Sequence, residues 1–128
     1  MRNTFKVFVY GTLKVGGHYA FAVDDFRKSV KKAMTKGKMY SINGMFPGLV
    51  ADDSTEVQGE LHTYEVAALK ILDNIEGYRA HRAPEENLYQ RVEAKVTTEE
   101  GKKEKAFVYL FNHNVANYDE VKSGVWPI

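Results

Sequence analysis

Leu88-Tyr89-Gln90-Arg91-Val92-Glu93-Ala94-Lys95-Val96-Thr97-Thr98, answered seven residues later by Lys105-Ala106-Phe107-Val108-Tyr109-Leu110-Phe111, is the stretch that decides the fold. Apolar and β-branched residues alternate with charged ones along the first run, which is the period of a strand with one face buried. Glu99-Glu100-Gly101-Lys102 between the runs supplies turn chemistry. The pair therefore predicts an antiparallel hairpin.

Working outward, short strands accumulate. Lys38–Ile42 closes on Asn43-Gly44, and residues 48–51 close on Asp52-Asp53-Ser54. Val57–Tyr64 reads as a longer strand with Gly59 inside it, the signature of a bulge or of a close backbone approach. At the start of the chain, Phe5–Val9 is a β-branched and aromatic run entering Tyr10-Gly11-Thr12-Leu13. Residues 19–23 form one apolar helical or irregular segment. Phe26, Val30, Ala33 and Met34 fall at helical spacing, while residues 29–35 also alternate, so the pattern leaves helix and strand open there. Between Glu65 and Glu76, the residues Val66, Leu69, Leu72 and Ile75 share one face, predicting an amphipathic helix stopped by Gly77. Mostly antiparallel strands with one helix give an α+β domain spanning residues 1–128. A curved sheet or small barrel with the helix packed on it is expected, holding a small ligand at its mouth.

Composition narrows the partners. Eighteen Lys and Arg against seventeen Asp and Glu leave a formal charge of +1, and the basic residues form no long stripe, which argues against nucleic acid. The absence of cysteine excludes thiol catalysis, Cys-ligated zinc and disulfides, and fits a reducing compartment. No apolar run is long enough to cross a bilayer, and no signal-peptide core follows Met1, so a cytoplasmic protein without a membrane partner is expected.

Two features carry chemistry. The Tyr10-Gly11-Thr12 turn ends a strand with a residue lacking a Cβ, so its N–H groups and the Thr12 hydroxyl can approach and hold an anion; an ordinary strand-end turn is the alternative. Glu76 sits at the edge of the apolar stripe, in the last helical turn and three residues after Asp73. Burial, the negative end of the helix dipole and like charge all raise its pKa, which suits acid-base work near neutrality. A surface carboxylate paired with Arg79 or Arg82 is the alternative.

Taken together, Val9-Tyr10-Gly11-Thr12-Leu13, Phe46-Pro47-Gly48-Leu49-Val50, Val57-Gln58-Gly59-Glu60-Leu61, Leu72-Asp73-Asn74-Ile75-Glu76-Gly77-Tyr78, Tyr89-Gln90-Arg91, Ala106-Phe107-Val108-Tyr109 and Ser123-Gly124-Val125-Trp126 resemble the gamma-glutamyl cyclotransferase-like family, particularly its short gamma-glutamylamine cyclotransferase-type members. The resemblance implies a small barrel-like α+β fold, a strand for residues 30–35, and a glutamyl head held by Tyr10, Gly11, Thr12 and Leu13. It implies Glu76 as the general acid-base, with Tyr89 and Tyr109 lining the pocket. In that reaction the substrate's α-amine attacks its own γ-amide carbonyl and releases 5-oxoproline and an amine. A small-molecule γ-glutamyl substrate follows, with no cofactor. A non-catalytic module that binds γ-glutamyl or carboxylate ligands, and a biosynthetic γ-glutamyl-removing enzyme, are the other readings. The chain departs from the family at Lys14, where Arg is common, and at Val125, where Asp is frequent.

Other catalytic classes find no support. His18, His62, His81 and His113 lack metal-ligand spacing, so no metal site is expected. There is no Gly-x-Ser-x-Gly elbow, P-loop or dinucleotide fingerprint, and Trp126 reads as a packing anchor.

Overall fold

The computed structural model describes residues 3–127. Eight strands and one helix follow in chain order: β1 (Thr4–Val9), β2 (Arg27–Lys36), β3 (Lys38–Ile42), β4 (Phe46–Val50), β5 (Glu56–Glu65), α1 (Ala68–Ile75), β6 (Tyr89–Thr98), β7 (Lys103–Phe111) and β8 (Asp119–Glu120). Strands β1-β5-β2-β6-β7 close into a barrel, and β4-β3-β8 form a second, three-stranded sheet. Every barrel pairing is antiparallel except the one that closes it, where β1 runs parallel to β7 at Val7 and Phe107.

The predicted hairpin is present, with Arg91 opposite Tyr109 and Val96 opposite Glu104. Residues 30–35 are strand, paired through Lys31–Leu61 and Thr35–Val57. The helical spacing of Phe26, Val30 and Met34 is coincidental: Ala33 and Thr35 are buried while Val30 is 41% exposed, a period-two pattern. Residues 20–22 and 24–26 are single 3₁₀ turns. The internal Gly59 marks a close approach, since a Cβ there would lie 2.4 Å from the Val9 carbonyl oxygen.

Alternation separates two cores. Phe8, Ala33, Val57, Leu61, Val96 and Val108, drawn from all five barrel strands, cluster together and fill the interior. Val7, Val9, Tyr64, Tyr109 and Phe111 face outward under Ala68 and Leu72 of α1.

The helix is shorter than its sequence pattern. β5 runs through Glu65, and Val66, half exposed, sits in the connecting turn with its N–H on the Asn3 carbonyl. At the other end Gly77 takes φ 63°, its N–H bonds the Asn74 carbonyl and the Tyr78 N–H bonds that of Asp73. This is a Schellman stop, and it places Glu76 as the C-cap residue.

Candidate active site

A cavity of about 750 Å³ lies where the end of β1 faces the C-terminus of α1 and the start of β4. Tyr10, Gly11, Thr12 and Leu13 line it from the first strand and its turn, Glu76 from the helix end, and Tyr89 and Tyr109 from β6 and β7. The fold thus brings all seven sequence-predicted site residues to one space.

Each wall has a local cause. Gly11 is pressed against Pro47, where a Cβ would stand 2.5 Å from the ring Cγ, so the turn after β1 seats on the second sheet only without a side chain. The Lys14 N–H bonds the Gly11 carbonyl at 3.0 Å, and Tyr19 N–H bonds that of Thr12 at 2.9 Å, folding the loop back on itself. Among the described residues, the N–H groups of Gly11, Thr12 and Leu13 donate to no protein acceptor. All three residues line the cavity.

Glu76 is partly exposed, with its carboxyl on the cavity side, and the desolvation imposed by the protein packed around it pushes its pKa from the ordinary 4.5 up to about 8. Among the described residues no group donates a hydrogen bond to it. Of the three influences read from the sequence, burial is the one that acts. Asp73 is occupied elsewhere: the Tyr109 hydroxyl donates to its Oδ1 at 2.7 Å, and the Arg91 guanidinium to its Oδ2 at 2.5 Å. Arg91 in turn lies over the Tyr78 and Phe107 rings at 5.1 and 4.8 Å. Neither candidate surface partner reaches Glu76. Arg82 donates to Asn87 Oδ1 at 2.5 Å and to the Gly77 carbonyl at 2.9 Å, and Arg79 is exposed.

The tyrosines build the cavity more than they arm it. Tyr10 donates its hydroxyl to the Tyr109 carbonyl at 2.6 Å and accepts from the Leu49 N–H at 3.2 Å, stitching β1, β7 and β4 together. Tyr89 donates to the Pro47 carbonyl at 2.6 Å. Desolvation, reinforced at Tyr109 first by Asp73 and at all three by Glu76, holds these phenols well above their ordinary pKa, so they stay neutral. Their hydroxyl protons are committed, and what they offer the cavity is ring surface.

Several contributors were not read as site residues from the sequence. Asn87 is fully buried and organises residues 78–87: it accepts from the Arg79 N–H and Arg82 Nε and donates to the Arg79 carbonyl and Gln90 Oε1. The buried Lys14 donates its ammonium to the Trp126 carbonyl at 2.5 Å. Burial lowers its pKa against the opposing pull of Glu60. A single carbonyl acceptor suits an ammonium, so the fork of an arginine is not needed there. Val125 is half exposed, its N–H on Ser123 Oγ. Trp126, expected only to pack, also lines the cavity, as does His18. Glu60 accepts from the Val15 N–H at 2.9 Å and from His62 at 2.8 Å, and His62 meets the Tyr64 hydroxyl at 2.6 Å, so a buried polar chain anchors the loop from beneath. Among the described residues no cluster of three metal-ligating side chains occurs, and no helix is long and apolar enough to cross a membrane.

The profile of the family described as gamma-glutamyl cyclotransferase, AIG2-like, matches residues 7–127. The chain belongs to that family. This cyclotransferase-family chain is 28% identical over 121 residues to the gamma-L-glutamyl-butirosin B gamma-glutamyl cyclotransferase of Niallia circulans, covering 94% of its own length and 74% of that enzyme's. Among solved structures, YkqA from Bacillus subtilis superimposes with a TM-score of 0.73 at 22% identity, over 96% of this chain and 39% of that one, so the chain spans well under half of that relative. An AIG2-like protein from Mus musculus superimposes with a TM-score of 0.72 at 23% identity, over 91% of this chain and 83% of the mouse chain. These likenesses show the same fold as the closed barrel with its single helix.

Proposed function

We propose that the cavity closes γ-glutamyl amides into 5-oxoproline, with Glu76 carrying the proton. The observation that supports this most strongly is the pairing, in one cavity, of a desolvated carboxyl that no protein group satisfies with three consecutive unclaimed backbone N–H groups. The carboxyl is a proton carrier poised near neutral pH. The N–H groups suit the α-carboxylate of a glutamyl head at Gly11, Thr12 and Leu13, with Tyr10 fixing the turn behind them.

In the reaction, the ionised Glu76 takes a proton from the substrate's α-ammonium. The freed nitrogen lone pair attacks the γ-carbonyl carbon, a five-membered ring forms, and the amide C–N bond breaks as Glu76 passes that proton to the departing nitrogen; Glu76 then takes the second proton from the ring nitrogen and yields it to the freed amine, which leaves as an ammonium while Glu76 is ionised again. Protons balance without water or an enzyme nucleophile. Acid-base assistance is worth ~10²–10⁴-fold. Holding the extended glutamyl chain in its ring-closing conformer supplies the remainder, because the nucleophile is already tethered. Tyr89 and Tyr109 present ring surface that confines the chain. The family membership and the activity in the name of the Niallia relative support the same chemistry.

The test is incubation with γ-glutamyl ethylamide while 5-oxoproline and ethylamine are both quantified. Equimolar release, abolished in Glu76→Gln, is expected. Free glutamate in place of 5-oxoproline, or near-wild-type turnover by the variant, would overturn the proposal.

A further inference from the structure

We infer, resting on the cyclotransferase reading above, that the leaving half of the substrate is an apolar, ring-bearing amine that carries no carboxylate. Size is the first argument. A cavity of about 750 Å³ falls in the upper part of the ~300–1,000 Å³ range of sites that enclose a drug-sized molecule, and a glutamyl head alone leaves most of it unfilled.

Charge is the second. Among the described residues no Lys or Arg side chain lines the cavity; their ionisable groups there are Glu76, His18 and tyrosines, and the nearby Lys14 ammonium is spent on the Trp126 carbonyl. An amino acid as leaving group would bring its own carboxylate into a low-dielectric space beside Glu76 with no cation to meet it. A polycationic leaving group, such as an aminosugar, needs several acceptors, and among the described residues the cavity wall offers one carboxyl. Neither fits.

The third argument is the rim. Tyr19, Met45 and Leu88 line the cavity and remain 43%, 73% and 37% exposed, three large apolar side chains left open to solvent at its mouth. Met45 is held there by a tight turn, with Asn43 and Gly44 at φ 56° and 73° and its own N–H on the Ile42 carbonyl. His18 and Tyr19 stand edge to face with centroids 4.7 Å apart, and Phe46 packs near Tyr89 below. Such a rim recognises flat apolar surface.

Three substrates separate the terms: γ-glutamyl ethylamide, γ-glutamyl phenethylamide, and γ-glutamylphenylalanine, which differs from the second only by a carboxylate. With 5-oxoproline as readout, kcat/KM for the phenethylamide is expected to exceed each of the others at least ten-fold. Ten-fold is about 1.4 kcal/mol, which the burial of about 55 Å² of apolar surface provides. Met45→Ser is expected to lower the phenethylamide-to-ethylamide ratio at least three-fold. A ratio near one in the wild type, or γ-glutamylphenylalanine turned over as well as the phenethylamide, overturns this inference and leaves the cyclotransferase reading intact. No 5-oxoproline from any of the three overturns both.

Discussion

Replacing Glu76 by Gln isolates the energetic cost of keeping a titratable carboxyl in the cavity wall. The folded pKa of about 8 stands above the unfolded value of 4.5, a difference of three and a half units. Below pH 4.5 both states are protonated and Glu and Gln are nearly equivalent. Between 4.5 and 8 the unfolded chain sheds its proton while the folded chain keeps it, so wild-type stability falls by ~1.36 kcal/mol per pH unit and levels off above 8. The full span sets a ceiling of about 5 kcal/mol, and because the residue keeps part of its surface on the cavity, a gain of ~2–4 kcal/mol for Gln at pH 9 is the working figure. In a domain of this size that raises Tm by on the order of 10 °C. Thermal unfolding of both proteins at half-unit steps from pH 4.5 to 9 is the assay. The two curves are expected to coincide at the acid end and diverge steadily towards pH 8. A constant offset across the range would refute the desolvation argument, because it would mean that Glu76 titrates alike in both states. A gain in stability also guarantees that lost turnover in this variant is not misfolding.

Gly11→Ala forces a Cβ to within 2.5 Å of the Pro47 ring, and a loss of ~1–3 kcal/mol is expected in denaturant unfolding, with a raised KM for γ-glutamyl ethylamide as the N–H groups shift. Wild-type stability would show that the turn is not seated on the second sheet. Asp73→Asn removes the charged acceptor of both Arg91 and the Tyr109 hydroxyl, at a cost of ~1.5–3 kcal/mol; double-mutant cycles with Arg91→Met should return a coupling of the same sign, and additivity would place the ion pair outside the stability account.

Local patterns in the sequence reach far into this fold because most elements agree with their own periodicity. The β6–β7 hairpin, β3 with its Asn43-Gly44 turn, β5 and the Gly77 stop all follow from alternation and turn chemistry that tertiary packing leaves alone. One element is left open by its pattern and one is read too long. Residues 29–35 satisfy a helical spacing as well as a strand, and the choice falls to the barrel, where β2 pairs with β5 along its length; Glu65 and Val66 fit the helical stripe, but Glu65 pairs with Thr4 of β1 and Val66 lies in the turn that follows. The closure of β1 on β7, a single parallel contact between residues a hundred apart, leaves no local mark. In the site, Glu76 is legible because an acidic residue on an apolar stripe at a helix C-terminus is locally unfavourable. Asn87 and the Glu60–His62–Tyr64 chain are not, since their partners are close in sequence but each is an ordinary polar residue until the fold buries it, and Lys14 meets its acceptor only across 112 residues of chain. The tyrosines were legible as wall and not as donors, because only the fold reveals that Pro47, Tyr109 and Asp73 already accept their protons.

The central claim, that one desolvated carboxyl titrating near 8 moves the proton in a ring closure, is tested most directly by the pH dependence of kcat/KM for 5-oxoproline formation from γ-glutamyl ethylamide. Below the pKa the free enzyme holds Glu76 protonated and the fraction able to accept a proton falls ten-fold per unit, so an acid limb of slope one with its midpoint at about 8 is predicted. A profile that is flat from pH 6 to 9, or whose acid limb sits at an ordinary carboxylate value, would contradict it.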